Sequence, residues 1–149
     1  INIDLENTYI ENGTAKDEKA ECDRYDKLLG TMHRDIQLLG LGSNGHIAFN
    51  EPYTSFDSKT HVVDLAESTV RDNARLFNNV NEVPKQAYTM GLSSIMQSKR
   101  ILMLASGANK AEAVRGAAMG EVTEAVPASI LQRHGDCILI ADKEAARLL

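Results

Sequence analysis

Asp35-Ile36-Gln37-Leu38-Leu39-Gly40-Leu41-Gly42 is a mostly apolar run that ends in glycines. This pattern predicts a buried strand entering a tight loop. Arg100-Ile-Leu-Met-Leu-Ala105 and Cys137-Ile-Leu-Ile-Ala141 are core strands of the same kind. Helical segments surround them. Lys16 to Leu29 is charged, lacks Gly and Pro, and can place Ala20, Cys22, Tyr25, Leu28 and Leu29 on one face, with Gly30 as a stop. Glu67 to Phe77, Asn109 to Met119 (stopped by Gly120), Pro127 to His134 and Lys143 to Leu149 also read as helices, and Ser93 to Ser98 as a helical turn or two. Ile1 to Leu5, Thr60 to Leu65 and Ala87 to Met90 read as further strands. Apolar strands alternating with helices predict an α/β fold. The expected sheet is open, largely parallel and doubly wound (Rossmann-like), with helices on both faces. Ligands in such sheets bind beyond the carboxyl ends of the strands, here at the loops after Leu39 and after Ala105.

The chain has 149 residues, enough for a single α/β domain over 1–149 and too few for two full ones. Its 43% apolar and 25% charged residues argue against wholesale disorder. The net charge of −5, from 16 basic and 21 acidic residues, argues against a nucleic-acid partner but allows a local anion site. No apolar run approaches the ~18 residues of a membrane span, so no membrane partner is expected. The first residues lack the basic-then-apolar order of a secretory signal. Cys22 and Cys137 are isolated thiols without metal-binding spacing, which suits a cytoplasmic location. The sequence starts with Ile inside an apparent strand, so a fragment or processed product is expected.

The loop from Gly40 to Pro52 holds the candidate chemistry. Gly40-Leu-Gly-Ser-Asn-Gly45 fits G-x-G-x-x-G, and Asp64 lies 19 residues beyond Gly45. A dinucleotide site also needs a helix directly after the glycines. Asn50 and Pro52 leave no room for a helix of ~10 residues, so dinucleotide binding is not expected. The glycines still let backbone N–H groups approach a polar ligand closely. His46 and Glu51, with Asn44 beside them, form a candidate acid–base unit. A carboxylate on one ring nitrogen fixes the imidazole tautomer and leaves the other nitrogen to move protons. The same spacing also suits a plain structural hydrogen bond. A metal site of His46 and Glu51 with His33 or His61 has no recognisable spacing, so no metal is expected. Ser106-Gly-Ala-Asn-Lys110 leaves a strand and opens a helix. A first-turn lysine fits either an anion bound there or ordinary solvation. Arg75 is a second candidate cation or a surface ion-pair partner.

Leu38-Leu-Gly-Leu-Gly-Ser-Asn-Gly-His-Ile-Ala-Phe-Asn-Glu-Pro52 resembles the signature of the glucosamine-6-phosphate deaminases, within the glucosamine/galactosamine-6-phosphate isomerase family. The likeness extends through Thr60-His-Val-Val-Asp-Leu65, Asn73-Ala-Arg-Leu-Phe77, Val83 to Gly91, Ala105 to Ala111 and Pro127-Ala-Ser-Ile-Leu-Gln132. By this resemblance His46 is the proton acceptor for sugar ring opening, assisted by Glu51 and Asn44. Some family members carry Asp at the Asn44 position, so the helper here is neutral. Arg75 and Lys110 match the cations that hold the 6-phosphate, and Gly40, Gly42 and Gly45 match the backbone lining the sugar. The implied substrate is an amino-sugar phosphate, with no cofactor and no metal; some relatives are homo-oligomers. The implied reaction converts glucosamine 6-phosphate and water to fructose 6-phosphate and ammonium. Ring opening is followed by proton transfer from C2 to C1. The family's upstream phosphate loop and its C1/C2 base are absent from this sequence, so the chain is expected to be the C-terminal part of a larger catalytic domain, lacking its N-terminal strands. A sugar-phosphate lactonase of similar fold and a non-catalytic sugar-phosphate-binding fragment are the alternatives.

Overall fold

A computed structural model describes residues 2–149. The strands among the described residues are β1 (Ile36–Gly40), β2 (His61–Asp64), β3 (Gln86–Thr89), β4 (Arg100–Ala105) and β5 (Cys137–Ala141). The α-helices are α1 (Glu18–Gly30), α2 (Glu67–Asn73), α3 (Leu92–Ile95) and α4 (Ala111–Met119). The three apolar runs β1, β4 and β5 form a parallel sheet in the order β1-β4-β5. Leu39 lies opposite Met103, and Leu104 opposite Ile140. The α/β class and the parallel sheet are those expected from the sequence.

Alternation along the strands sends the two sets of side chains to very different surroundings. Leu39, Ile101, Met103 and Ala105 are buried beneath Leu92 and Ile95 of α3, Val114 and Ala117 of α4, and Ile130 and Leu131 of the 3-10 segment Pro127–Arg133. Burial of each large aliphatic side chain stabilises the fold by ~1.5–3 kcal/mol. Ile36, Leu38, Leu104, Ile138 and Ile140 point the other way and are exposed. Among the described residues, helices therefore cover one face of this sheet, whereas the sequence pattern predicts helices on both.

Strands β2 and β3 form their own antiparallel pair, apart from the parallel sheet. Their backbone groups satisfy one another, and Leu65 N–H extends the pairing to the Lys85 carbonyl at 2.8 Å. Helix α1 is fixed beside this pair. Asp26 Oδ1 accepts from the Thr60 N–H at 3.0 Å and from the Thr60 hydroxyl at 2.6 Å. Its buried face is Glu21, Cys22, Tyr25 and Leu29, with Ala20 exposed. Glu21 replaces Ala20 on that face because its carboxylate is satisfied by Arg24 and by the Asn12 N–H at 2.6 Å.

Two expected elements do not form. Of the strand expected over Ile1 to Leu5, Ile1 lies outside the described residues. Asn2–Asp4 carries no ladder and runs into the 3-10 turn Leu5–Asn7. Alternation produces a strand only where an edge is available to pair, and here Ile3 and Leu5 are exposed. Lys143 to Leu149 forms successive turns instead of a helix. The Ala146 N–H reaches the Asp142 carbonyl at 2.9 Å, and Leu149 bonds back to Ala146 at 3.0 Å.

Candidate active site

The loop after β1 is anchored from below. Ile47 and Asn50 are fully buried. The Asn50 side-chain amide donates to the Ile47 carbonyl at 3.0 Å and to the Met90 carbonyl at 2.9 Å. The chain folds back on itself, with the Gly42 N–H donating to the His46 carbonyl at 2.9 Å. Gly42 is required by close approach, because a Cβ there would occupy the space of the His46 ring. Gly45 has a φ of +87°, a conformation open to glycine at little cost.

This geometry aims His46 at a cleft of about 330 Å³ at the carboxyl end of β1. Gly40, Gly42, His46 and Phe49, from β1 and the loop after it, line one part of it. Asp72, Arg75 and Lys110 complete the rim. A larger cavity of about 600 Å³, lined by His33, Arg34 and Lys99, opens at the other end of the sheet and shares no residue with the cleft.

Behind His46 lies a buried polar cluster centred on Glu51, which is 7% exposed. Its Oε2 accepts from the Asn44 side-chain amide at 2.7 Å. Its Oε1 accepts from the Thr69 hydroxyl at 2.5 Å and from the Ala66 N–H at 3.2 Å. The His46 Nδ1 lies 3.5 Å from Glu51 Oε2 and 3.4 Å from Thr69 Oγ1. Asn44 Oδ1 also accepts the His46 backbone N–H at 3.2 Å. Burial pushes the His46 imidazole below its ordinary value of 6.5, Lys110 adds to that push, and Glu51 and Asp72 oppose it. A partly buried imidazole that is neutral near pH 7 suits a general base.

The residues singled out in the sequence are therefore distributed in three ways. Gly40, Gly42, His46, Arg75 and Lys110 meet around the cleft. Asn44 and Glu51 stand behind the imidazole. Gly45 lies off the cleft, against Val126, where its carbonyl accepts the Ala128 N–H at 2.9 Å. The segment Ser106–Lys110 also differs from its sequence reading. The Ser106 hydroxyl and the Gly107 N–H are taken by Asp142 Oδ2, at 2.6 and 3.0 Å. Lys110 is left as that segment's contribution to the cleft. Thr69, Asp72 and Phe49 were not read from the sequence. The first two fall on the predicted helix 67–77, and nothing in its pattern marks them.

The fold is thus a parallel α/β sheet with an imidazole, two cations and a buried carboxylate gathered beyond the carboxyl end of β1, the place where open α/β sheets of this class take their ligands. The chain belongs to the glucosamine-6-phosphate isomerases/6-phosphogluconolactonase family, whose sequence profile matches residues 2–139. It is 55% identical over 142 residues to a glucosamine-6-phosphate deaminase of Ligilactobacillus salivarius, covering 95% of this chain and 61% of that relative. It is similar to a solved structure of a monomeric glucosamine-6-phosphate deaminase, with 54% identity and a TM-score of 0.92, over 95% of this chain and 59% of that one. A 6-phosphogluconolactonase from Trypanosoma cruzi shares the fold at 24% identity and a TM-score of 0.65, over 87% of this chain and 52% of its own. The chain spans about 60% of the length of the curated relatives it matches. No helix among the described residues is long and apolar enough to cross a membrane.

Proposed function

We propose that these residues carry the ring-opening and phosphate-binding part of a cytoplasmic glucosamine-6-phosphate deaminase, as the C-terminal part of a larger catalytic domain. One observation carries this reading: His46 lines the same cleft as Lys110 and Arg75, with Glu51 behind its ring. In the proposed reaction, His46 Nε2 takes the proton of the anomeric hydroxyl and returns it to the ring oxygen as the C1–O5 bond breaks. Glu51 stabilises the transient imidazolium. Lys110 and Arg75 hold the 6-phosphate, so binding energy from a remote group orients the reacting end. A base from outside these residues then moves a proton from C2 to C1 through an enol-type intermediate. Ammonia leaves C2, water takes its place, and fructose 6-phosphate results. The amino sugar is favoured over a lactone because the relative at 55% identity is a deaminase, whereas the likeness to lactonases at 24% is one of fold.

The test is ammonia release from glucosamine 6-phosphate by a family-length protein in which these 149 residues replace the matching segment of the Ligilactobacillus relative. Release that is lost on His46→Ala supports the proposal. A folded chimera that releases no ammonia contradicts it.

A further inference from the structure

Thr69 is 1% exposed and reaches the site from α2, 18 residues beyond Glu51. A hydroxyl has one proton to donate and lone pairs to accept with. The Thr69 proton is committed to Glu51 Oε1 at 2.5 Å. Toward His46 Nδ1, 3.4 Å away, Thr69 Oγ1 therefore presents a lone pair. Glu51 Oε2, at 3.5 Å from the same nitrogen, is an acceptor as well. The Asn44 amide proton is spent on that same Oε2 at 2.7 Å. Nδ1 thus faces acceptors on both sides and gains most by carrying the ring proton.

We propose that Thr69 is a positioning residue that holds Glu51 in register and locks His46 in the tautomer with its proton on Nδ1, leaving Nε2 unprotonated toward the cleft. The α2 helix thereby prepares the base on the β1 loop. The contacts at Nδ1 are long for finished hydrogen bonds, as is common before a ligand tightens a catalytic unit. Thr69 gives the carboxylate a fixed point from which to close on the ring. This inference rests on the reading of His46 as the base, but its first test is independent of turnover.

That test is the tautomer of His46, read by nitrogen-15 NMR of its ring in the protein above pH 7. The Nδ1–H form in the unmodified protein is expected, and a predominant Nε2–H form would overturn the proposal without any variant. Thr69→Val removes the hydroxyl at nearly constant volume, and Thr69→Ser restores it. The valine variant should show a mixed tautomer population and the serine variant the original one. An unchanged Nδ1–H signal in a folded valine variant would contradict the lock. The His46 titration should also move between the two variants, read against the charges that face it: Glu51 and Asp72 on one side, Lys110 on the other. In the active chimera, Thr69→Val should lower kcat about fivefold with KM unchanged, the loss of one ordinary hydrogen bond. A merely structural threonine would lower stability and leave the tautomer as it was. Should the chimera be inactive, the deaminase reading fails while the tautomer result stands on its own.

Discussion

The two walls of the cleft are built on different principles. The β1 loop is fixed by burial: Ile47 and Asn50 are inaccessible to solvent, and Glu51 accepts from three protein donors. The rest of the lining, from α2, the turn after it and the entrance to α4, is exposed or half-buried. Asp72 and Arg75 lie open to solvent, and Lys110 is partly covered. The contrast follows from what each wall is proposed to do. Proton transfer needs heavy atoms within hydrogen-bond reach and a defined tautomer, so its groups must be held. Recognition of a phosphate needs charge within a few ångströms, which long side chains supply without a fixed frame.

Substitutions can break this contrast, beginning with the rigid wall. His46→Ala should reduce turnover in the family-length chimera by ~10²–10⁴-fold, the usual range for a positioned acid–base group. Folding should survive, and thermal unfolding measured alongside checks that. Lys110→Ala should act on the other wall, raising KM for glucosamine 6-phosphate about 10- to 100-fold as a charge-assisted hydrogen bond is lost. An effect of Lys110→Ala on kcat alone would reverse the roles assigned to the two walls. Asn50→Ala should cost ~1–3 kcal/mol of stability by denaturant unfolding, because it leaves the Ile47 and Met90 carbonyls without their donor.

A smaller effect comes from pH. His46 has a lowered value in the folded protein, so in the window just below 6.5 the unfolded chain binds a proton that the folded chain does not. Stability from this group is therefore complete above 6.5 and falls as pH drops through that value toward the lower folded one. His46→Ala should flatten this part of the stability–pH curve. Arg75→Ala should have the least effect, about a two- to fivefold rise in KM with unchanged unfolding, because its guanidinium is exposed and screened.

The strands β1, β4 and β5 were legible because a continuous apolar run bounded by glycine or charge has few other uses. The candidate site was legible where one loop carries its residues, as with Gly42, His46 and Glu51. Thr69 was not, since its role depends on α2 folding back over a loop 18 residues earlier, a tertiary contact that leaves no local period. The separate pairing of β2 with β3 was hidden for the same reason, because propensity marks a strand without naming its partner. Ser106–Lys110 misled in part, since a sequence shows a helix entrance but not the Asp142 carboxylate that takes its Gly107 N–H and its Ser106 hydroxyl. The open sheet face carries the same apolar residue types as the buried one, so composition alone could not tell Leu38 from Leu39.

In the proposed site His46 works beside a phosphate held in the same cleft. The decisive experiment follows the His46 ring resonances while glucosamine 6-phosphate is added to the protein, with glucosamine in a parallel titration. Glucosamine 6-phosphate should produce a saturable change that weakens on Lys110→Ala, and glucosamine a much weaker response. Ring resonances that ignore glucosamine 6-phosphate, or that respond equally to both sugars, would contradict it.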